Sequence, residues 1–301
     1  MTTPAISAAA AMPAAKMRAS DHFAAYSFVD RIVEFERGSR ARGVFAIPAA
    51  IDAFPAAFVA EAVGQLAAWV AMDAIEFRGR PVAALATETQ FHRDVRPGQT
   101  LQLDVDILSC DDEAVAYNGR ASVGGSEVIT LIDCLGPMLP VTDFDSPDAL
   151  RERLQLLRAE GAAPGRFRGV ASLPVNVHEH ERGVAIRATL DVPADAPFFA
   201  DHFPRRPVFP ATLLLDAQMK LAATLVGETQ GTQREAPRLL RATHVKMRSF
   251  IAPSQRLELA AELSPAGTDV VRAMLSAKTD GRLVASARVD LAARADDEEL
   301  V

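Results

Sequence analysis

Two kinds of apolar spacing divide this chain. Strict alternation of apolar and polar positions recurs in Leu101-Gln-Leu-Asp-Val-Asp-Ile107, Ala185-Ile-Arg-Ala-Thr-Leu-Asp-Val192 and Leu283-Val-Ala-Ser-Ala-Arg-Val-Asp-Leu291. That period of two belongs to strands with one buried face. Gly124-Gly125, Pro265-Ala-Gly267 and Asp280-Gly281 read as turns between such strands. Two other stretches, after Phe54-Pro55 and after Phe209-Pro210, are apolar on nearly every side. A helix of that kind is buried all round, and Pro210 sits where a helix can begin without losing a needed N–H. A third pattern lies between them. Ser146 can cap, Pro147 fits the first helical position, Leu150, Leu154 and Leu157 form one stripe, and Gly161 suits the stop. Long buried helices accompanied by alternating strands predict an α+β protein.

The pattern occurs twice. Phe54-Pro55-Ala56 leads to Glu61-Ala, and Phe209-Pro210-Ala211 leads to Asp216-Ala, each acid six residues after its proline. Downstream, Ala86-Thr87 opens a segment ending Pro97-Gly-Gln99-Thr-Leu101-Gln-Leu103, and Ala242-Thr243 opens one ending Pro253-Ser-Gln255-Arg-Leu257-Glu-Leu259. Acid and proline are 36 residues apart in the first copy and 37 in the second. Two blocks in one order at one spacing indicate a duplicated unit. The expected organisation is a disordered leader over 1–20, a first unit over 21–142, a connecting helix and linker over 143–165, a second unit over 166–293 and an acidic tail over 294–301.

Composition narrows the function. A net charge of −7 argues against nucleic acid as a partner. Cys110 and Cys134 have neither C-x-x-C spacing nor a disulfide framework around them, which suits core residues of a reduced, cytoplasmic protein. In the Ala-rich leader Lys16 and Arg18 follow the apolar stretch instead of preceding it, unlike a secretory signal. No run of eighteen strongly apolar residues stands out, so no membrane span is expected.

The candidate chemistry lies in Asp201-His-Phe-Pro-Arg-Arg-Pro-Val-Phe-Pro-Ala-Thr-Leu-Leu-Leu-Asp216. His202 occupies a loop stiffened by Pro207 and Pro210, and Asp216 follows fourteen residues later inside the apolar helix. A carboxylate there is costly unless paired, neutralised or used. His202, Phe203, Pro207, Val208, Pro210 and Asp216 resemble the His-Phe-x-x-x-Pro-Val-x-Pro-Gly run and helical acid of the FabA/FabZ family, the 3-hydroxyacyl-[acyl carrier protein] dehydratases. Ala211 stands where that family usually has Gly. Glu61-Ala-Val-Gly-Gln65 is similar to the family's Glu-Ala-x-x-Gln.

The resemblance implies a hot-dog fold, a sheet wrapped around a central helix, and two copies imply a double hot-dog forming an internal pseudo-dimer. Further homo-oligomerisation stays open. In the family the site is composite, with histidine from one hot-dog and acid from the other. Fourteen residues before Glu61 stands Ile47, not histidine, so the first unit reads as degenerate. His202 then faces Glu61, and Asp216 faces the Ile47 region as a hydrogen-bonded relic, although His202–Asp216 pairing remains an alternative. The implied reaction is loss of water from a 3-hydroxyacyl thioester. His202 takes the C2 proton, Glu61 protonates the departing hydroxyl or holds the water, and the Ala211 N–H receives the thioester carbonyl. Phe203, Val208, Thr212 and Gln65 would contact substrate, Gln65 equally suiting a local hydrogen bond. No metal or organic cofactor is required, since the acyl carrier protein brings its phosphopantetheine-linked acyl chain. Arg205 and Arg206 would form a basic collar for that carrier, or simply lie exposed on a turn.

Other histidines carry less. His178 and His180 share a strand face without a third ligand, as on a solvated edge, and His22, His92 and His244 show no constellation. A hot-dog acyl thioesterase and a non-catalytic acyl-binding subunit are the competing functions. Thioesterases generally lack the His-Phe-Pro loop.

Overall fold

The computed structural model describes residues 23–229, 237–266 and 270–292. The expected leader and acidic tail, together with His22 and Gly267, lie outside them. The first unit runs β1 (Arg31–Glu36), β2 (Arg40–Ala46), α1 (Ala56–Ala74), β3 (Gly79–Pro81), β4 (Leu85–Phe91), β5 (Thr100–Cys110), β6 (Ala114–Val123) and β7 (Ser126–Pro140). A connecting helix, α2 (Pro147–Arg158), leads to the second. There follow β8 (Val175–Glu181), β9 (Ala185–Asp191), α3 (Ala211–Thr229), β10 (Arg238–Met247), β11 (Arg256–Pro265), β12 (Val270–Thr279) and β13 (Arg282–Ala292).

All pairings are antiparallel, and the strands form one sheet in the order β1-β2-β5-β6-β7-β4-β10-β13-β12-β11-β9-β8, with β3 added on β7. The order is a mirror image about the β4–β10 pair. At that junction Thr243 faces Glu88, 155 positions apart, the same separation as Asp216 from Glu61. A pseudo-twofold therefore passes through the junction, and each half of the sheet curls around its own helix. This is a double hot-dog.

Helix α1 has no exposed residue because the sheet and α3 enclose it, whereas α3, expected to be buried on every side, leaves Lys220 and Thr224 exposed on one face and buries its apolar residues on the others. By length and composition α1 would suffice to cross a membrane, contrary to the expectation from the sequence. Its many alanines raise the average hydropathy, and in this fold the apolar surface lies against β2, β5 and β6. The fit is close at β6, where a Cβ on Gly119 would collide with Val63 Cγ1 and lie 3.1 Å from Val105 Cγ1.

The two units differ at one place. Counterpart strands β5/β11, β6/β12 and β7/β13 start 156 residues apart, but β2 and β9 start only 145 apart. The difference falls in the connection from strand to helix, residues 47–55 in the first unit and 192–210 in the second. Ile47 exchanges hydrogen bonds with the Gly98-Gln99 turn, as Val192 does with Ser254-Gln255. Ile47 is thus the counterpart of Val192, which corrects the alignment of Ile47 with His202. The ten-residue excess that carries the histidine has no equivalent in the first unit.

Helix α2 is capped by Ser146, whose side chain accepts from the Ala149 N–H at 3.5 Å, and buries Leu150, Leu154 and Leu157. The segment after it inserts Phe167 among Phe28, Phe54 and Phe58 of the first unit. Linker and first hot-dog therefore share a core. At the other edge, β8 exposes His178 and His180, and His180 Nε2 pairs with Glu228 at 2.8 Å.

Because α1 meets β6 without room for a methyl group, Gly119→Ala should destabilise the protein by ~1–3 kcal/mol. Thermal unfolding should show it as a lowered Tm with unchanged secondary structure; an unchanged Tm would contradict this packing.

Candidate active site

The long connection before α3 is built around Asp201. A short 3₁₀ turn, Pro197–Ala200, brings the chain to it, and its carboxylate accepts the N–H groups of Phe23, Ala25 (2.8 Å) and Tyr26 (2.7 Å) and the Ser27 hydroxyl (3.1 Å). Converging N–H donors satisfy a buried carboxylate. Asp201 so fastens the segment entering β1 against the loop of the second unit. Nothing in the sequence marked a role for Asp201 itself, as a loop Asp has no periodicity.

His202 follows directly. The loop closes on itself through Val208 N–H to His202 C=O at 2.9 Å, and the imidazole Nδ1 lies 2.9 Å from the Val208 carbonyl. A carbonyl only accepts, so Nδ1 carries the hydrogen and the neutral ring keeps its lone pair on Nε2. Burial holds the imidazole below its usual pKa, opposed by the negative charge of Glu61 and assisted by Arg80. The exposure His202 retains is toward a cavity, not bulk water.

The ring stacks on Phe203 (centroids 4.3 Å apart, 18° between planes), and the Arg80 guanidinium lies 4.3 Å from the Phe203 centroid. Arg80 is tied to the buried Asp145 at 3.1 Å, whose other oxygen accepts the Ser146 N–H. Arg80 contributes a cation to the site without any sequence pattern to mark it, since it stands on the short β3.

Glu61 reaches the same place from α1 of the first unit. Its Oε2 accepts from Thr212 Oγ1 at 2.8 Å and its Oε1 from Gln65 Nε2 at 3.0 Å. An acid in so apolar a helix is expected to lie buried among apolar neighbours; Glu61 is instead half-buried among polar donors. Gln65 also donates to the Tyr26 carbonyl (2.8 Å) and accepts the Phe28 N–H (2.7 Å), so it is both locally bonded and part of the cavity wall. Tyr26 places its hydroxyl 2.8 Å from Thr212 Oγ1 and its ring edge-on to His202 (6.0 Å, 85°).

These groups open into one cavity of about 550 Å³, walled by both units. Phe203, Val208, Ala211 and Thr212 line it beside His202 and Glu61, and apolar residues such as Trp69 and Met72 line its extension along α1. Ala211 heads α3, so its N–H has no intrahelical acceptor. Asp216 is not in this wall. It pairs with Lys220 at 2.7 Å, four residues on. Lys220 replaces the counterpart of Gln65, and Ala57 that of Thr212. Arg205 and Arg206 are exposed outside the cavity: Arg205 donates to the Thr142 carbonyl at 3.1 Å, and Arg206 lies 5.0 Å from the ring of Phe250, which does line it.

Comparison with known proteins agrees with this architecture. The FabA-like domain family matches residues 170–288. The FabZ 3-hydroxyacyl-[acyl-carrier-protein] dehydratase of Paramagnetospirillum magneticum is 33% identical over 115 residues, covering 38% of this chain and 70% of that protein. The FabZ of an Anaeromyxobacter species is 32% identical over 111 residues, 36% of this chain and 70% of the relative. Among solved structures, the dehydratase domain of PpsC from Mycobacterium tuberculosis, in complex with C12:1-CoA, superposes with a TM-score of 0.51 at 15% identity, covering 89% of this chain and 99% of that one. The tesB protein of Mycobacterium avium subspecies paratuberculosis gives 0.55 at 13% identity, over 86% and 95%. These structural likenesses are of fold alone. A duplicated hot-dog, a His-Phe-Pro loop and a relative matched over most of its length together decide the assignment: the chain belongs to the FabA/FabZ-like family of 3-hydroxyacyl-[acyl-carrier-protein] dehydratases.

Proposed function

We propose that the protein converts a 3-hydroxyacyl thioester, carried on acyl carrier protein, into the trans-2-enoyl thioester and water, in fatty-acid or polyketide-like synthesis. The observation that carries the reading is the meeting of His202 and Glu61, from different units, in one cavity with His202 Nε2 unprotonated. His202 Nε2 takes the C2 proton, the C2–H electrons become the C2=C3 bond, and the C3 hydroxyl leaves as water. Glu61 faces the departing hydroxyl and either supplies the proton that makes it water or, ionised, holds the water while the His202 imidazolium hands on the proton it took from C2. The Ala211 N–H at the head of α3 receives the thioester oxygen as charge grows there.

Residues 21–142 and 166–293 serve as the two hot-dogs, joined by 143–165, with one working site between them. Phe203, Val208, Thr212 and Gln65 contact the substrate. Arg205 and Arg206 meet the carrier protein, whose acidic surface needs local basic groups on a chain of net charge −7. The free thiols Cys110 and Cys134 suit a cytoplasmic setting.

His202→Ala should lower kcat/KM by ~10³ and Glu61→Gln by ~10², the range of general acid–base contributions. Asp216→Asn should stay within about twofold of wild type, since a residue outside the site forfeits no acid–base step. Enoyl absorbance on incubation with a 3-hydroxyacyl thioester is the measurement. Free acid as the product would indicate a thioesterase instead, and no product an acyl-binding subunit. A dead Asp216→Asn beside an active Glu61→Gln would reverse the assignment of the acid.

The base must be neutral to act, and burial favours the neutral ring. Activity should therefore persist as pH falls below 6.5, the ordinary histidine value, and the acid limb of kcat/KM should lie under it. A limb above that value would show that His202 is not the group titrating.

A further inference from the structure

Tyr26 stands outside both copies of the family motif, yet four contacts fix it in the wall of the site. Its N–H is held by Asp201 and its carbonyl by Gln65. Its ring edge meets His202, and its hydroxyl meets Thr212. It is 1% exposed. Asp201 directly precedes the base, and Gln65 and Thr212 are the two donors to Glu61. Each group that holds Tyr26 thus also places His202 or Glu61.

Proton counting gives the contact a direction. A threonine hydroxyl has one hydrogen, and that of Thr212 points to Glu61 Oε2, an acceptor when ionised. The bond between Thr212 and Tyr26 must then run from the phenol, Tyr26 O–H to Thr212 Oγ1. Burial, reinforced by the charge of Glu61, keeps the phenol protonated and so able to donate. The result is a one-way chain from Tyr26 through Thr212 to Glu61, in which each bond polarises the next.

We infer that Tyr26 is a positioning residue of the site, supplied by the segment that enters β1. Its hydroxyl holds Thr212 in the rotamer that aims Glu61 at the leaving hydroxyl, while its ring edge limits rotation of the imidazole. Around Asp216 the relay has no counterpart, because Ala57 stands where Thr212 would be. The inference rests on the dehydratase reading above.

The test is a double-mutant cycle on Tyr26→Phe and Thr212→Val, with Thr212→Ser as the conservative control. Phe keeps the ring and its packing and removes only the hydroxyl. Tyr26→Phe should lower kcat by about tenfold with KM within about twofold, the scale of one lost hydrogen bond expressed in the transition state. The double variant should be no slower than Thr212→Val alone, because both cut the same chain. Thr212→Ser should retain most activity. Wild-type kcat in Tyr26→Phe, or losses that multiply in the double variant, would overturn the inference and leave the dehydratase reading intact. Absence of enoyl product from wild type would sink that reading and this inference together. Should Tyr26→Phe fold poorly, a Thr212→Val variant as active as wild type overturns the relay by itself.

Discussion

The antiparallel pairing of β4 with β10 carries one sheet across the pseudo-twofold and brings the N-terminal turns of α1 and α3 together. Thr212 can reach Glu61 only because the helices meet there. With each hot-dog isolated, His202 would belong to one body and Glu61 to another. Covalent linkage of the units through α2 removes the cost of association that two separate chains would meet at every encounter. It also frees the units to diverge, since neither must match itself across a symmetric interface.

Divergence has taken a definite form. The second unit keeps the long loop with His202, and the first keeps Glu61 in its Glu-Ala-x-x-Gln setting. Around Asp216 every partner differs: the histidine loop is missing, Gln65 is replaced by Lys220, and Thr212 by Ala57. An ion pair to a lysine at i,i+4 is a cheap way to keep a carboxylate in a helix without such partners. The proposed site thus occupies one of the two places that the symmetry would have allowed. That site then gains contacts no symmetric dimer must share, from Tyr26 in the entering segment and from Arg80 on β3.

Much of this was legible in the residues. Period-two runs mark β5, β9 and β13, all-round apolarity marks the two central helices, and the cap, proline and leucine stripe mark α2 to within a residue or two. Each is a local rule, decided by neighbours three or four positions away. The repeat was legible too, because both copies keep Phe-Pro-Ala and the acid at fixed spacing. Counting positions misled at Ile47. A fixed offset assumes no insertion, and ten residues had entered between strand and helix. The pairing of Ile47 with the Gly98-Gln99 turn is what reveals its true counterpart.

By itself, then, the sequence determined which elements form, that they form twice, and that a histidine and a carboxylate of the right kinds are present. Those properties follow from side-chain periodicity and backbone preference, which act within a few residues. Only the tertiary structure decided which carboxylate shares a cavity with His202, because Glu61 is 141 positions away from it and Asp216 only 14. It alone placed Asp201, Tyr26 and Arg80 around them. Their roles depend on donors and rings contributed from remote segments, and no pattern in their own neighbourhood records such partners.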